Sequence, residues 1–122
     1  MSERRAPYKT SRGNANYNRG VAQERALIRK LEGMGYTCVR SAGSHTPFDV
    51  VAWDGRHIRL IQVKRGELSP NEISSALAGM LEAGAMPAIA QVELWQWVIR
   101  ERRGRWWRHW LQDGISKVSE VA

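Results

Sequence analysis

Two apolar runs, Phe48–Trp53 and His57–Lys64, flank Asp54-Gly55, a dipeptide that favours a tight type I′ hairpin turn. Apolar residues fall on both faces of both runs. A hairpin of that kind belongs at the centre of a sheet and needs cover on both sides. The chain offers two covers. Residues 21–34 carry Leu27, Ile28, Leu31 and Met34 in one helical stripe that Gly33 and Gly35 end. Residues 69–83 open with Ser69-Pro70-Asn71-Glu72, a capping box with proline at the first helical position. Their stripe is Ile73, Ala76, Leu77, Met80 and Leu81, and Gly84 is placed to stop the helix. A short strand is expected at Tyr36–Arg40, a long one at 88–99, and a return strand through WWRHWL after the basic turn RERRGR. The order is helix, three strands, helix, two strands, which is an α/β or α+β sandwich.

The hairpin also carries three polar side chains on one face. A two-residue loop at Asp54-Gly55 pairs Trp53 with Arg56, Val51 with Ile58 and Asp49 with Leu60. Alternation then puts Asp49, Val51 and Trp53 on the face of Leu60, Gln62 and Lys64. A four-residue loop keeps that parity. Asp49 and Gln62 become diagonal neighbours, roughly 7–8 Å apart at the backbone. Taken singly, Asp49 is a turn residue, Gln62 a partner for nearby backbone and Lys64 the end of a strand. Together on an apolar, two-sided hairpin they call for a ligand, since burying such groups unpaired costs roughly 1–3 kcal/mol each. The Asp49 carboxylate, the Gln62 carbonyl and the backbone carbonyl of Val63 are oxygen ligands suited to Mg²⁺, with Lys64 placed to stabilise charge on a phosphate. Glu24 sits at the N-terminal edge of the first helical stripe. It either complements the helix dipole or adds an acid to the hairpin face.

Charge agrees with a phosphate substrate. There are 19 Lys and Arg against 12 Asp and Glu, a net charge of +7 and a pI near 10.3, which points to nucleic acid. Residues 1–19, with Arg4, Arg5, Lys9, Arg12 and Arg19 against Glu3, have no apolar periodicity and are expected to form a flexible basic arm. A single folded domain is expected at 20–115, with a frayed polar tail at 116–122. Cys38 is the only cysteine, so an internal disulfide and a Cys-rich zinc site are excluded. No leader-like apolar run opens the chain and no stretch approaches a membrane span, so a cytoplasmic protein without a membrane partner is expected. His45, His57 and His109 lack metal-ligand spacing and are expected in loops or at the surface. Trp95, Trp97, Trp106, Trp107 and Trp110, interleaved with arginines, read either as core and dimer packing or as a stacking strip beside phosphates.

Residues 20–66, GVAQERALIRKLEGMGYTCVRSAGSHTPFDVVAWDGRHIRLIQVKRG, resemble the core of the archaeal-type Holliday junction resolvases (Hjc) of the PD-(D/E)XK nuclease superfamily. The resemblance rests on Glu in the opening helix, Arg-Ser-x-Gly-Ser, Phe-Asp and a lysine two residues past Gln62. It implies a restriction-endonuclease-like fold, a mixed five-stranded sheet flanked by helices. Glu24 matches the helix acid, Asp49 the metal-binding acid and Lys64 the catalytic lysine. Ser44 matches a loop serine near the scissile phosphate, while Arg25 and Arg40 match basic residues at the DNA face, with Ser41 and Arg65 beside them. The departure is Gln62, where the family usually has Glu. One negative charge is missing, so the affinity for metal and the number of metals are open. The resemblance implies a Mg²⁺-dependent (Mn²⁺-tolerant) endonuclease that nicks four-way DNA junctions in pairs, works as a homodimer and needs no small-molecule cofactor. Two alternatives stand beside it: a repair, restriction-like or flap nuclease of the same superfamily, and a non-catalytic DNA-binding protein on the same fold.

Overall fold

The computed structural model describes residues 7–41, 45–83 and 89–122, with side chains from residue 19 onward. Its elements run α1 (Pro7–Gly33), β1 (Thr37–Arg40), β2 (Val50–Trp53), β3 (Ile58–Arg65), α2 (Pro70–Glu82), β4 (Ala90–Arg100), β5 (Arg103–Gln112) and β6 (Ile115–Val121). The strands make one sheet in sequence order, antiparallel throughout except for β3 beside β4, where α2 makes the crossover that a parallel pair requires. The hairpin is therefore central in its β3 strand, and each face of β3 and β4 has its own helix. Ile61 and Trp95 join Leu27 and Leu31 of α1, while Val92 and Leu94 join Leu77 and Met80 of α2.

Four local expectations change. The helix does not begin at residue 21 but at Pro7, whose fixed φ suits a first helical position, so Lys9, Arg12 and Arg19 lie on α1 rather than on a flexible arm. Residues 1–6, including Arg4 and Arg5, fall outside the described residues, as do Ser44 and Gly84. Met34 lies past the end of α1 at Gly33 and is exposed, and Gly35, at φ 97°, then turns the chain toward β1. The expected frayed tail is a sixth strand, β6, paired with β5 from Trp106↔Val121 to Gln112↔Ile115. It is an edge strand held by backbone hydrogen bonds, so its polar side chains carry no hydrophobic signal, and only Val121 reaches the core.

The fourth change is the hairpin turn. Trp53 pairs with Ile58 and Val51 with Leu60, two residues away from the register of a two-residue loop at Asp54-Gly55. None of residues 54–57 has a positive φ, so the turn is not type I′. The Asp54 carboxylate instead accepts hydrogen bonds from the N–H groups of Arg56 (2.8 Å) and His57 (2.7 Å), an Asx arrangement that closes the loop without left-handed backbone. Left-handed backbone occurs instead between β4 and β5, at Glu101 (φ 53°) and Arg102 (φ 63°), a conformation costing non-glycine residues roughly 1–2 kcal/mol each.

Candidate active site

Asp49 stands at the entrance to β2, fixed through its backbone. Its N–H donates to the Ile61 carbonyl at 2.8 Å, and its carbonyl accepts from the Ser41 N–H at 3.0 Å. The Ser41 hydroxyl donates to the Phe48 carbonyl, drawing together the two ends of the intervening loop. One step beyond Val50↔Ile61, the register places Asp49 opposite Gln62 rather than diagonal to it, so the two side chains start only about 5 Å apart. The strands part at this point. The Val63 N–H donates not to a strand carbonyl but to Asp49 Oδ2, at 2.8 Å. Oδ1 has no hydrogen bond among the described residues.

Gln62 shares the face of Asp49, and its Oε1 is buried with no partner. A buried amide carbonyl without a donor is costly, roughly 1–3 kcal/mol, and such an atom calls for a ligand. Lys64 follows two residues on, exposed at the same end of that face. Glu24 reaches the same end of the sheet from α1, accepting from Arg40 Nη1 at 3.1 Å. Burial pushes the Asp49 carboxyl above its ordinary value, against the Val63 hydrogen bond and the Lys64 charge. Burial also raises Glu24, with the Asp49 charge adding to it and Arg40 opposing. Two carboxyls that burial pushes upward, with the Asp49 charge acting on Glu24, form a site that a cation would relax. Among the described residues no three His, Cys, Asp or Glu cluster as a metal site.

Of the expected DNA contacts, Arg19, Arg25 and Arg65 are exposed, while Arg40 is engaged with Glu24 and the Ser41 hydroxyl with Phe48. The sequence reading missed a buried ionic cluster on the α1 face. Glu93, with no solvent exposure, lies 3.3 Å from both Arg59 Nε and Arg108 Nε and accepts from Trp95 Nε1 at 2.7 Å. Arg59 stacks over Tyr36 and Arg108 over Trp110. The signal was available: an acid inside the apolar run of β4 and an arginine inside the apolar run of β3. His109, expected near the surface, is buried with its Nε2 2.9 Å from Gln96 Oε1.

The sequence model of the archaeal Holliday junction resolvases (Hjc) matches residues 15–78, from α1 through most of α2. The chain belongs to this family. Among solved structures it is similar to Archaeoglobus fulgidus Hjc, a Holliday junction resolvase from an archaeal hyperthermophile, with 28% identity and a TM-score of 0.50 over 72% of this chain and 70% of that one. Membership makes the chain a structure-specific junction endonuclease by family. Glu24, Asp49, Gln62 and Lys64 all lie inside the matched Hjc segment, whereas β4, β5 and β6 lie beyond it.

Proposed function

We propose that this chain resolves four-way DNA junctions by paired phosphodiester nicks, with Asp49, Gln62 and Lys64 as the catalytic centre and Glu24 flanking it. The observation that carries the reading is the buried, unpartnered Oε1 of Gln62 opposite the carboxylate of Asp49. A carboxylate oxygen, an amide oxygen and the Val63 carbonyl fit a hard divalent cation, Mg²⁺ first and Mn²⁺ second. When bound, that ion polarises the phosphate and lowers the pKa of a bound water.

The chain's own residues do the remainder. Asp49 is oriented by the Val63 N–H, which holds Oδ2 and leaves Oδ1 directed by the same clamp. Lys64 presents an ammonium to the non-bridging oxygens as negative charge grows on them. Ser44, outside the described residues, is assigned to the scissile phosphate by the family resemblance alone. Arg4, Arg5, Lys9, Arg12, Arg19, Arg25, Arg40, Ser41 and Arg65 bind the junction arms, an electrostatic grip that positions without reading sequence.

Paired nicks need two sites related by a two-fold axis. The β1–β3 region supplies an uncovered apolar face: Val39, Trp53 and Ile58 are 50%, 38% and 42% exposed on the side away from α1, beside the half-buried Val51 and Leu60. This face is our homodimer surface. A Mg²⁺ titration of junction cleavage tests the site, with Gln62→Glu expected to reach half-maximal rate at lower Mg²⁺ than wild type. An unchanged requirement would remove Gln62 from the metal site.

A further inference from the structure

The β4–β5 hairpin lies outside the matched family segment, yet it grows from the catalytic strand. Gly66, just past Lys64, donates its N–H to the Trp97 carbonyl at 2.8 Å and accepts from Gln96 Nε2 at 2.8 Å. Arg100 then closes a bidentate pair with Glu67, at 2.9 and 3.0 Å. The register aligns the faces. Lys64 pairs with Gln96, Gln96 with Trp107, Val98 with Arg105 and Arg100 with Arg103. Alternation puts Arg100, Arg103, Arg105 and Trp107 on the face of Asp49, Gln62 and Lys64, at the same end of the sheet. Arg100 lies four residues beyond Gln96 along β4, about 13 Å at the rise of a strand, close to the width of a DNA major groove.

Three features set this hairpin tip apart. Arg100 and Arg103 face each other directly across the strands, a like-charge pairing that opposes the hairpin. Arg103 has no ion pair among the described residues, while Arg105 is balanced by Glu120 and Arg100 by Glu67. The turn itself holds Glu101 and Arg102 in left-handed backbone, where a hairpin would favour Asn-Gly. Arg100, Arg103 and Arg105, with Val98, Trp107 and the acids Glu101 and Glu120, line an open cleft of about 570 Å³, where three arginines outnumber two carboxylates.

We propose that this cleft binds the phosphate backbone of a duplex junction arm, holding it one groove-width from the phosphate being cut. The proposal rests on the resolvase reading for the identity of the arm. The pairs of Arg100 and Arg105 are exposed, and such pairs are weak enough to exchange for phosphate. Trp107 lines the cleft beside these arginines.

The test is equilibrium binding of a synthetic four-way junction to the full chain in EDTA, titrated with monovalent salt. Arg103→Ala should lose one phosphate contact, lowering the salt slope by about 0.9 and weakening Kd about eightfold at 0.1 M salt. Arg103→Ala combined with Arg105→Ala should lose about twice that slope. Glu120→Gln, which releases Arg105, should tighten binding severalfold, and it decides the matter alone if the arginine variants melt early. Wild-type slope and Kd in the arginine variants, or in Glu120→Gln, would overturn the proposal. Because binding is read without cleavage, a wild-type protein that binds but never cuts a junction in Mg²⁺ would refute the resolvase reading while leaving the cleft intact.

Discussion

Replacing Gln62 by Met separates stability from catalysis. Methionine has nearly the length of glutamine but removes the buried carbonyl that has no partner. An unsatisfied buried acceptor costs roughly 1–3 kcal/mol. Gln62 is only half-buried as a residue, which argues for the lower end. Gln62→Met should therefore stabilise the metal-free protein by about 1 kcal/mol. For a chain of 122 residues, an unfolding entropy of about 2.1 cal/mol/K per residue turns that into a Tm rise of about 4 °C. The same variant should lose cleavage, and divalent cation should no longer raise its Tm, whereas wild type should gain Tm as Mg²⁺ is added. Thermal melting with and without Mg²⁺, beside a junction-cleavage assay, reads all three quantities. A Gln62→Met protein that melts lower than wild type and still cuts at the wild-type rate would show the amide to be packing, and the site would shrink to Asp49 and Lys64.

Three further outcomes follow from the same structure. Asp49→Ala and Lys64→Ala should each reduce cleavage by orders of magnitude while junction affinity in EDTA stays close to wild type; a variant that cuts at near wild-type rate would misplace the centre. Glu93→Gln leaves Arg59 and Arg108 facing each other without their shared carboxylate; breaking a buried pair in this way should destabilise by about 3 kcal/mol, near 12 °C in Tm, and a change under 2 °C by calorimetry would contradict it. Burial lowers the His109 pKa in the folded state. The unfolded chain therefore binds the proton more readily, and His109 should cause stability to fall as pH drops below the ordinary histidine value near 6.5; His109→Gln should flatten that part of a denaturation-versus-pH curve, and an unaltered slope would refute it.

Much of the site was legible because its residues are neighbours in sequence or related by a parity rule. Asp49, Gln62 and Lys64 fall on one face whether the loop has two residues or four, so an error in the turn left the face unchanged while moving Gln62 from diagonal to opposite. Capping chemistry located α2 to within one residue, since Ser69 and Glu72 make both reciprocal bonds of the box. The misses lie where hydrophobic periodicity carries no information. β6 is a polar edge strand, and the first turns of α1 have no apolar stripe. The Glu93–Arg59–Arg108 cluster depends on the pairing of β3 with β4 and of β4 with β5, which periodicity within one strand cannot supply. Nor does sequence reveal that Asp49 takes the Val63 N–H, because that bond exists only where the two strands part.

Product mapping on a synthetic four-way junction tests the central claim most directly. Wild type and Asp49→Ala would be incubated with each strand labelled in turn, in Mg²⁺ and in EDTA, beside linear duplex of the same sequence. The expected result is paired nicks at symmetry-related positions on two opposing strands, dependent on Mg²⁺, absent for Asp49→Ala and absent on the duplex. Equal cutting of duplex and junction, or junction cleavage that survives both EDTA and Asp49→Ala, would contradict a junction resolvase centred on Asp49, Gln62 and Lys64.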